Sequence, residues 1–293
     1  GDDSVNLSGL GAPLTSTTVY GGDGNDQLNG SPLSDLIYGG FGNDIIVGGA
    51  GADVGYGEAG NDRFGDPAVA DPAANDSGND QFFGGDGSDT LTWDAGDGSD
   101  LFEGGTGEDV MIFNGSAGAE TFTFNAVGTR LEFLRSLGGI DMDLADVEQV
   151  NLNANGAADT VNVNDLFGTA VSVINVNLGT DGAVDAVNIQ GRPVADNLML
   201  TSPGAGQLLL TGLQYNVGIS GAEATDTLAL NGNDGDDQIT AAPGTETIMA
   251  ITLNGGNGDD VLTGNVLAIN GGAGNDTLFG GAGNQVMDGG AGD

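Results

Sequence analysis

Aspartate recurs at Asp26, Asp35, Asp44, Asp53, Asp62, Asp71, Asp80 and Asp89, eight times in a row at intervals of nine residues. Two positions after each stand Leu28, Ile37, Ile46, Gly55, Phe64, Ala73, Phe82 and Leu91, mostly apolar. Four of the windows closing on these aspartates read Gly-Gly-x-Gly-x-Asp: Gly21 to Asp26, Gly39 to Asp44, Gly48 to Asp53 and Gly84 to Asp89. After a two-residue insertion at Trp93-Asp94 the phase resumes with Asp100 and Asp109. It returns late in the chain with Asp237, Asp260 and Asp276. Carboxylates are hard oxygen donors, so a regular row of them is chemistry for holding cations.

The rest of the composition narrows the chemistry further. The chain has 293 residues, with 57 Gly, 35 Asp and 8 Glu against 4 Arg, no Lys, no His and no Cys, for a formal charge of −39. Zinc, haem and iron–sulfur sites of the usual kinds, Cys or His nucleophiles and disulfides are therefore excluded. A P-loop needs a lysine the chain lacks. Four arginines do not neutralise a phosphate backbone, so nucleic acid is a poor partner, and an anionic membrane surface repels the chain. No stretch approaches the roughly 18 apolar residues of a membrane span. Leu, Ile, Val and Phe make about a quarter of the residues, little above the level that signals disorder. Such a chain is marginal unless something cationic joins it.

The nonapeptide resembles the Gly-Gly-x-Gly-x-Asp-x-apolar-x repeat of the RTX, or haemolysin-type calcium-binding, family. The match is dense over residues 21–112 and looser over 232–293. Six residues of turn and three extended ones put a bend and a short strand in every repeat, with glycine supplying positive φ angles. Two repeats make a flattened coil of 18 residues, and coils stack at the strand spacing of about 4.8 Å. The fold expected is all-β, a right-handed parallel β-roll or β-helix solenoid with a thin core. Carboxylates about 5 Å apart repel by about 3 kcal/mol per pair at an effective dielectric near 20. A hard divalent cation that accepts six to eight oxygens relieves this, and calcium fits better than magnesium, which keeps its water shell. The expected ligands are the side chains of the thirteen aspartates named above. Turn carbonyls around Gly22, Gly24, Gly40, Gly42, Gly49, Gly51, Gly85, Gly87, Gly105, Gly107, Gly256, Gly258, Gly272 and Gly274 join them.

Residues 18 apart should share an edge. Asn25, Asn43, Asn61 and Asn79 precede Asp26, Asp44, Asp62 and Asp80, whereas Ser34, Ala52, Ala70 and Ser88 precede Asp35, Asp53, Asp71 and Asp89. On the second set Leu33 and Val69 replace a turn glycine. The first edge is therefore expected to be fully metalled and the second partly vacant. Phe64 and Phe82 should face Gly55 and Ala73, large against small.

Four segments are expected: 1–20, the end of a preceding repeat and a linker; 21–112, the roll; 113–231, a β-helix-like middle; and 232–293, a second repeat stretch. The middle trades glycine turns for β-branched alternation, as in Glu120 to Phe124, Val147 to Asn153 and Val171 to Leu178. It keeps an aspartate two before an apolar residue at Asp159, Asp185, Asp196 and Asp226. The same winding with larger coils is the reading, with asparagines stacked inward or along turns as amide ladders. Leu131 to Arg135 reads as a strand or a short helix, strand favoured. Ala158 to Leu166 is similar to linker blocks between RTX repeats in large secreted bacterial proteins.

Sharper readings are weaker. Gly55-Tyr56-Gly57-Glu58-Ala59-Gly60 matches a dinucleotide fingerprint but spans two repeats with no following helix. Asp76-Ser77-Gly78 is a repeat turn without the second motif of an aspartic protease. Asp141 and Asp143 are two of 43 acids, so their adjacency carries no glycosidase. Arg130, Arg135 and Arg192 read as local salt bridges to Glu132 or Asp196 rather than a uronic-acid site. Trp93 and Tyr38 are expected to cover the core at an insertion or coil edge.

The resemblance implies export through type I secretion and folding on meeting millimolar calcium outside the cell. The first functional expectation is a non-catalytic extracellular or cell-surface scaffold of a matrix, surface layer, sheath or adhesin, with calcium ions as partners and self-assembly or a matrix polymer as further ones. The alternatives are the secretion and folding tail of a lipase or protease and, third, a polysaccharide-acting β-helix enzyme. Both ends look like pieces of a longer pattern, so a fragment of a larger protein is expected.

Overall fold

A computed structural model of the chain describes residues 1–9, 15–65, 77–204 and 206–292. Asp71 and Ala73 lie outside the described residues. The described chain is all-β and alternates between two facing sheets of fourteen strands each. The first sheet starts at Ser4–Asn6 and the second at Ser16–Asp23. Within the roll every pairing is parallel: Leu28 lies beside Ile46 and Ile37 beside Gly55, each one coil of 18 residues apart. Glycines at the corners make this possible. Gly40 (φ 116°) and Gly42 (φ 129°) hold angles that L side chains avoid, and a Cβ on either would strike the carbonyl of the coil below.

The inward residues form one continuous core from Val19 to Ile269. Gly55 leaves the space that Phe82 fills in the neighbouring strand of the same sheet, and the Phe82 ring packs 5.1 Å from Phe64 across the core. Large against small holds for this pair, but Phe82 stands over Gly55 within one sheet rather than opposite it. Trp93 is not at an edge. It is fully buried and stacks on Phe113 at 3.9 Å, because the extra residues at the insertion fall in the turn after it. Tyr38 lies on the outer face, stacked between Tyr20 (5.0 Å) and Tyr56 (5.1 Å), with Phe83 continuing the row at 4.9 Å.

The middle departs from uniform winding. Thr121–Val127, Arg130–Arg135 and Ile140–Ala145 form an antiparallel meander within the second sheet. Asn197–Gly204, Gln207–Thr211 and Asn216–Ser220 form another within the first. Leu131 to Arg135 is strand, as favoured. The first hairpin closes on Gly128-Thr129, with Gly128 at φ 68°, a two-residue loop of the kind that suits twisted strands. Each meander puts three strands where one coil puts one. A single meander would leave one sheet two strands longer; one in each restores fourteen and fourteen. Asparagine ladders form on the outer faces, Asn151 with Asn175 at 2.8 Å and Asn162 with Asn188 at 2.9 Å, rather than inward. A second kind runs along the turns, where Asn25 accepts the Asn43 N–H and Asn43 that of Asn61.

Candidate metal centres

Along both edges the aspartate closing one turn holds the backbone of the turn before it. Asp44 Oδ1 accepts the N–H of Asp26 and Asp62 that of Asp44, both at 2.8 Å. Asp89 takes the N–H of Asp62 and Asp109 that of Asp89, both at 2.7 Å. The other edge runs Asp35, Asp53, Asp80, Asp100, with contacts of 2.7, 2.7 and 2.9 Å. Late in the chain Asp237 accepts from Asp196, Asp260 from Asp237 and Asp276 from Asp260.

This overturns the expected edges. Asp80 belongs with Asp35 and Asp53, and Asp89 with Asp26, Asp44 and Asp62. The register between Gly55 and Phe82 spans 27 residues instead of 18, so that coil holds a whole extra nonapeptide and the rows exchange from there on. A nine-residue period is blind to this. It fixes the phase of each aspartate but not how many repeats make a coil.

The second carboxylate oxygen is the informative one. Oδ2 of Asp26, Asp44, Asp53, Asp62, Asp80, Asp89, Asp109, Asp237, Asp260 and Asp276 is buried without a hydrogen-bond partner. Leaving a buried polar atom unmet costs about 1–3 kcal/mol, more when it is charged. At eight of these turns the first glycine marks where the oxygen points. A Cβ on Gly39 would collide with Asp44 Oδ2 and stand 2.9 Å from the carbonyl oxygen of Gly57 in the next coil. Gly21 faces Asp26 Oδ2 and the Gly39 carbonyl in the same way, as does Gly57 with Asp62 and the Gly84 carbonyl. Carboxylate and carbonyl thus converge on a cradle that any side chain would fill. The repeat by itself points to carbonyls around the second and fourth glycines of each turn; the structure adds the first.

Among the described residues no three acidic side chains converge on one point. Each cradle pairs a carboxylate oxygen with a main-chain carbonyl oxygen, donors that suit calcium and not a metal that wants nitrogen or sulfur. The residues present fit calcium.

Burial pushes nine ladder carboxyls up, and the neighbouring carboxylate of the adjacent coil adds to it for most. Asp53, Asp62, Asp89, Asp109 and Asp237 reach about 6, Asp100 about 7 and Asp80 about 8; Asp44 and Asp260 also rise. A folded carboxyl above its unfolded value binds protons more tightly in the roll than in the open chain. That contribution is whole below about pH 4 and is lost as pH rises through 6 to 8. Metal-stripped protein should therefore melt at progressively lower temperature from pH 5 to pH 8, while calcium-loaded protein should weaken on acidification. Thermal melts followed by circular dichroism across that range check both slopes; a flat apo profile contradicts the burial account.

The nonapeptide model described as the RTX calcium-binding nonapeptide repeat matches residues 18–32, 29–64, 76–91, 94–123, 229–250, 252–266 and 268–293. The chain belongs to the RTX calcium-binding repeat family. A search of curated proteins found no match. The RTX repeats cover both stretches where orphaned oxygens cluster, and they leave most of the middle unmatched. The middle aspartates nevertheless keep the RTX ladder: Asp159 accepts from Glu120, Asp185 from Asp159 and Asp226 from Asp185. Their spacing to the next apolar residue had signalled them.

Arg130, Arg135 and Arg192 form ion pairs. Arg192 meets Asp196 at 2.6 Å, as expected. Arg130 pairs with Glu103 and Asp143 rather than Glu132, and Arg135 pairs with Glu120. The meander brings Glu103 and Asp143 onto adjacent strands, two register positions apart, which linear spacing does not show.

Proposed function

We propose that the chain is a non-catalytic extracellular scaffold whose two repeat stretches wind up when calcium reaches them after export. RTX repeats are typical of secreted bacterial proteins and are generally non-catalytic. The observation that carries the reading is the file of buried, unpartnered aspartate oxygens, seven of them beside a carbonyl of a neighbouring coil. At a net charge of −39 and low calcium, these groups repel and the coils stay apart. Outside the cell each ion joins two coils, and its binding energy becomes folding energy. The ligands are the ladder aspartates with turn carbonyls, set along both edges. The Asp35 position is the weakest, because its Oδ2 already accepts the Ser31 N–H at 2.5 Å. A scaffold of this kind would offer stacked aromatics and amide ladders on its flat outer faces for contact with matrix polymer or further copies.

Circular dichroism in calcium and in excess EGTA tests the reading, with calorimetry counting the ions. A large loss of β signal on chelation, reversed by calcium but not by magnesium, is expected. An unchanged spectrum rejects it.

A further inference from the structure

The demand for cations is not spread evenly along the ladder. Among the described residues, ten of the orphaned aspartate oxygens lie in the flanks, up to Asp109 and from Asp237 on; between them there is one, Asp159 Oδ2. Two arginines account for much of the difference.

Each meander interrupts one row. Beyond Asp100 the first meander places Met142, whose sulfur stands 3.4 Å from the Asp100 nitrogen. The row restarts on the far side at Glu120, and there the Arg135 guanidinium closes on the carboxylate. Both side chains are buried, 6% and 0% exposed. The guanidinium also lies 5.1 Å over the Trp93 ring, and the other Glu120 oxygen accepts the Ser116 N–H at 2.7 Å. The second meander interrupts the opposite row, which restarts at Asp196. Arg192 supplies its Nε to Asp196 Oδ1 and its backbone N–H to Oδ2, both at 2.7 Å. Between the restarts, Asp226 Oδ2 accepts the Glu223 N–H at 2.6 Å. Glu148 takes an aspartate's place on the first row and accepts the Asp109 N–H at 2.7 Å.

We infer that Arg135 and Arg192 are built-in counter-cations occupying two rungs of the ladder, so that residues 113–231 fold without calcium and template the flanks. The inference rests on the calcium-dependent reading of the flanks. Planar, permanently charged guanidinium is suited to replace a metal beside a buried carboxylate. The meanders add the only antiparallel pairings among the described residues, and such local contacts form early in folding. Strands at both ends of the segment then present ready ladders: Gln149–Asn153 pairs with Val110–Asn114, and Thr227–Asp234 pairs with Ala250–Asn257.

Hydrogen exchange of the whole chain in EGTA, read segment by segment, tests this. Strands from Thr121 to Ser220 should exchange at least about tenfold more slowly than those from Ser16 to Asp86, the contrast vanishing in calcium. Arg135→Gln should abolish the slow exchange of the middle in EGTA. Arg63→Gln, which removes the same charge from an exposed strand position, should leave it intact. Uniformly fast exchange in EGTA overturns the inference while leaving calcium-dependent folding standing. Uniformly slow exchange overturns both. Equal behaviour of the two arginine variants removes the counter-cation role.

Discussion

Gly39→Ala should cost the folded protein one calcium ion and raise the calcium concentration at its folding midpoint several-fold. The new methyl collides with Asp44 Oδ2 and stands 2.9 Å from the Gly57 carbonyl oxygen, so it occupies the place where carboxylate and carbonyl converge. The neighbours cannot yield, because one is backbone of the next coil and the other is held by the Asp26 N–H at 2.8 Å. Overpacking contributes about 1–3 kcal/mol. Loss of an ion present at a hundred times its dissociation constant contributes about 2.7 kcal/mol more. Gly128→Ala is the comparison. It places an alanine at φ 68° with nothing within 4 Å of the new Cβ, so it should cost about 1–2 kcal/mol and no ion. Calorimetric ion counts on the two variants separate a filled site from a strained turn. An unchanged count for Gly39→Ala means the metal sits elsewhere.

Phe82→Ala should be the most damaging core substitution in the roll, at about 3–5 kcal/mol. Each strand here sends in very few side chains, and the residue beside Phe82 in the next strand is Gly55, which has none. Phe102, beside Phe82 in the strand on the other side, is already packed on Phe64 at 5.8 Å, and Phe64 loses its neighbour at 5.1 Å. The geometry also predicts a rescue. A Cβ at Gly55 would meet Phe82 Cδ1 at 2.9 Å and Ile46 Cγ2 at 3.3 Å, so Gly55→Ala overpacks the native core. Once Phe82 is cut back, that methyl fills part of the void. The double variant should be more stable than Phe82→Ala alone, in urea melts at saturating calcium. Simple additivity would show that the two positions do not share one space.

Much of this was legible locally. Aspartate two before an apolar residue marks an edge and an inward position, because turn and strand lengths are set by the repeat itself. The rule holds at Asp26/Leu28 and equally at Asp159/Val161 and Asp226/Leu228, where no glycine-rich window survives. The first meander also leaves a mark, Gly128-Thr129 between two alternating runs, just before the Leu131 to Arg135 stretch that reads as a strand or a short helix. Alternation looks the same in a parallel coil and in a hairpin, so the turn alone carried the distinction. The pairing of Arg135 with Glu120 leaves no such mark, since it forms only through the meander, and the burial of Trp93 depends on the coil register that sets it beside Phe113.

The sequence by itself determined that carboxylates line the edges and apolar side chains the interior, with a repeat of the calcium-binding type, since each follows from chemistry within nine residues. The tertiary structure alone decided which aspartates share a row, which oxygens lack a partner and which rungs are filled by arginine. Those depend on how many residues each coil contains and on where a meander interrupts the stack. They are properties of neighbouring coils 16 to 43 residues apart, over which a local period carries no information.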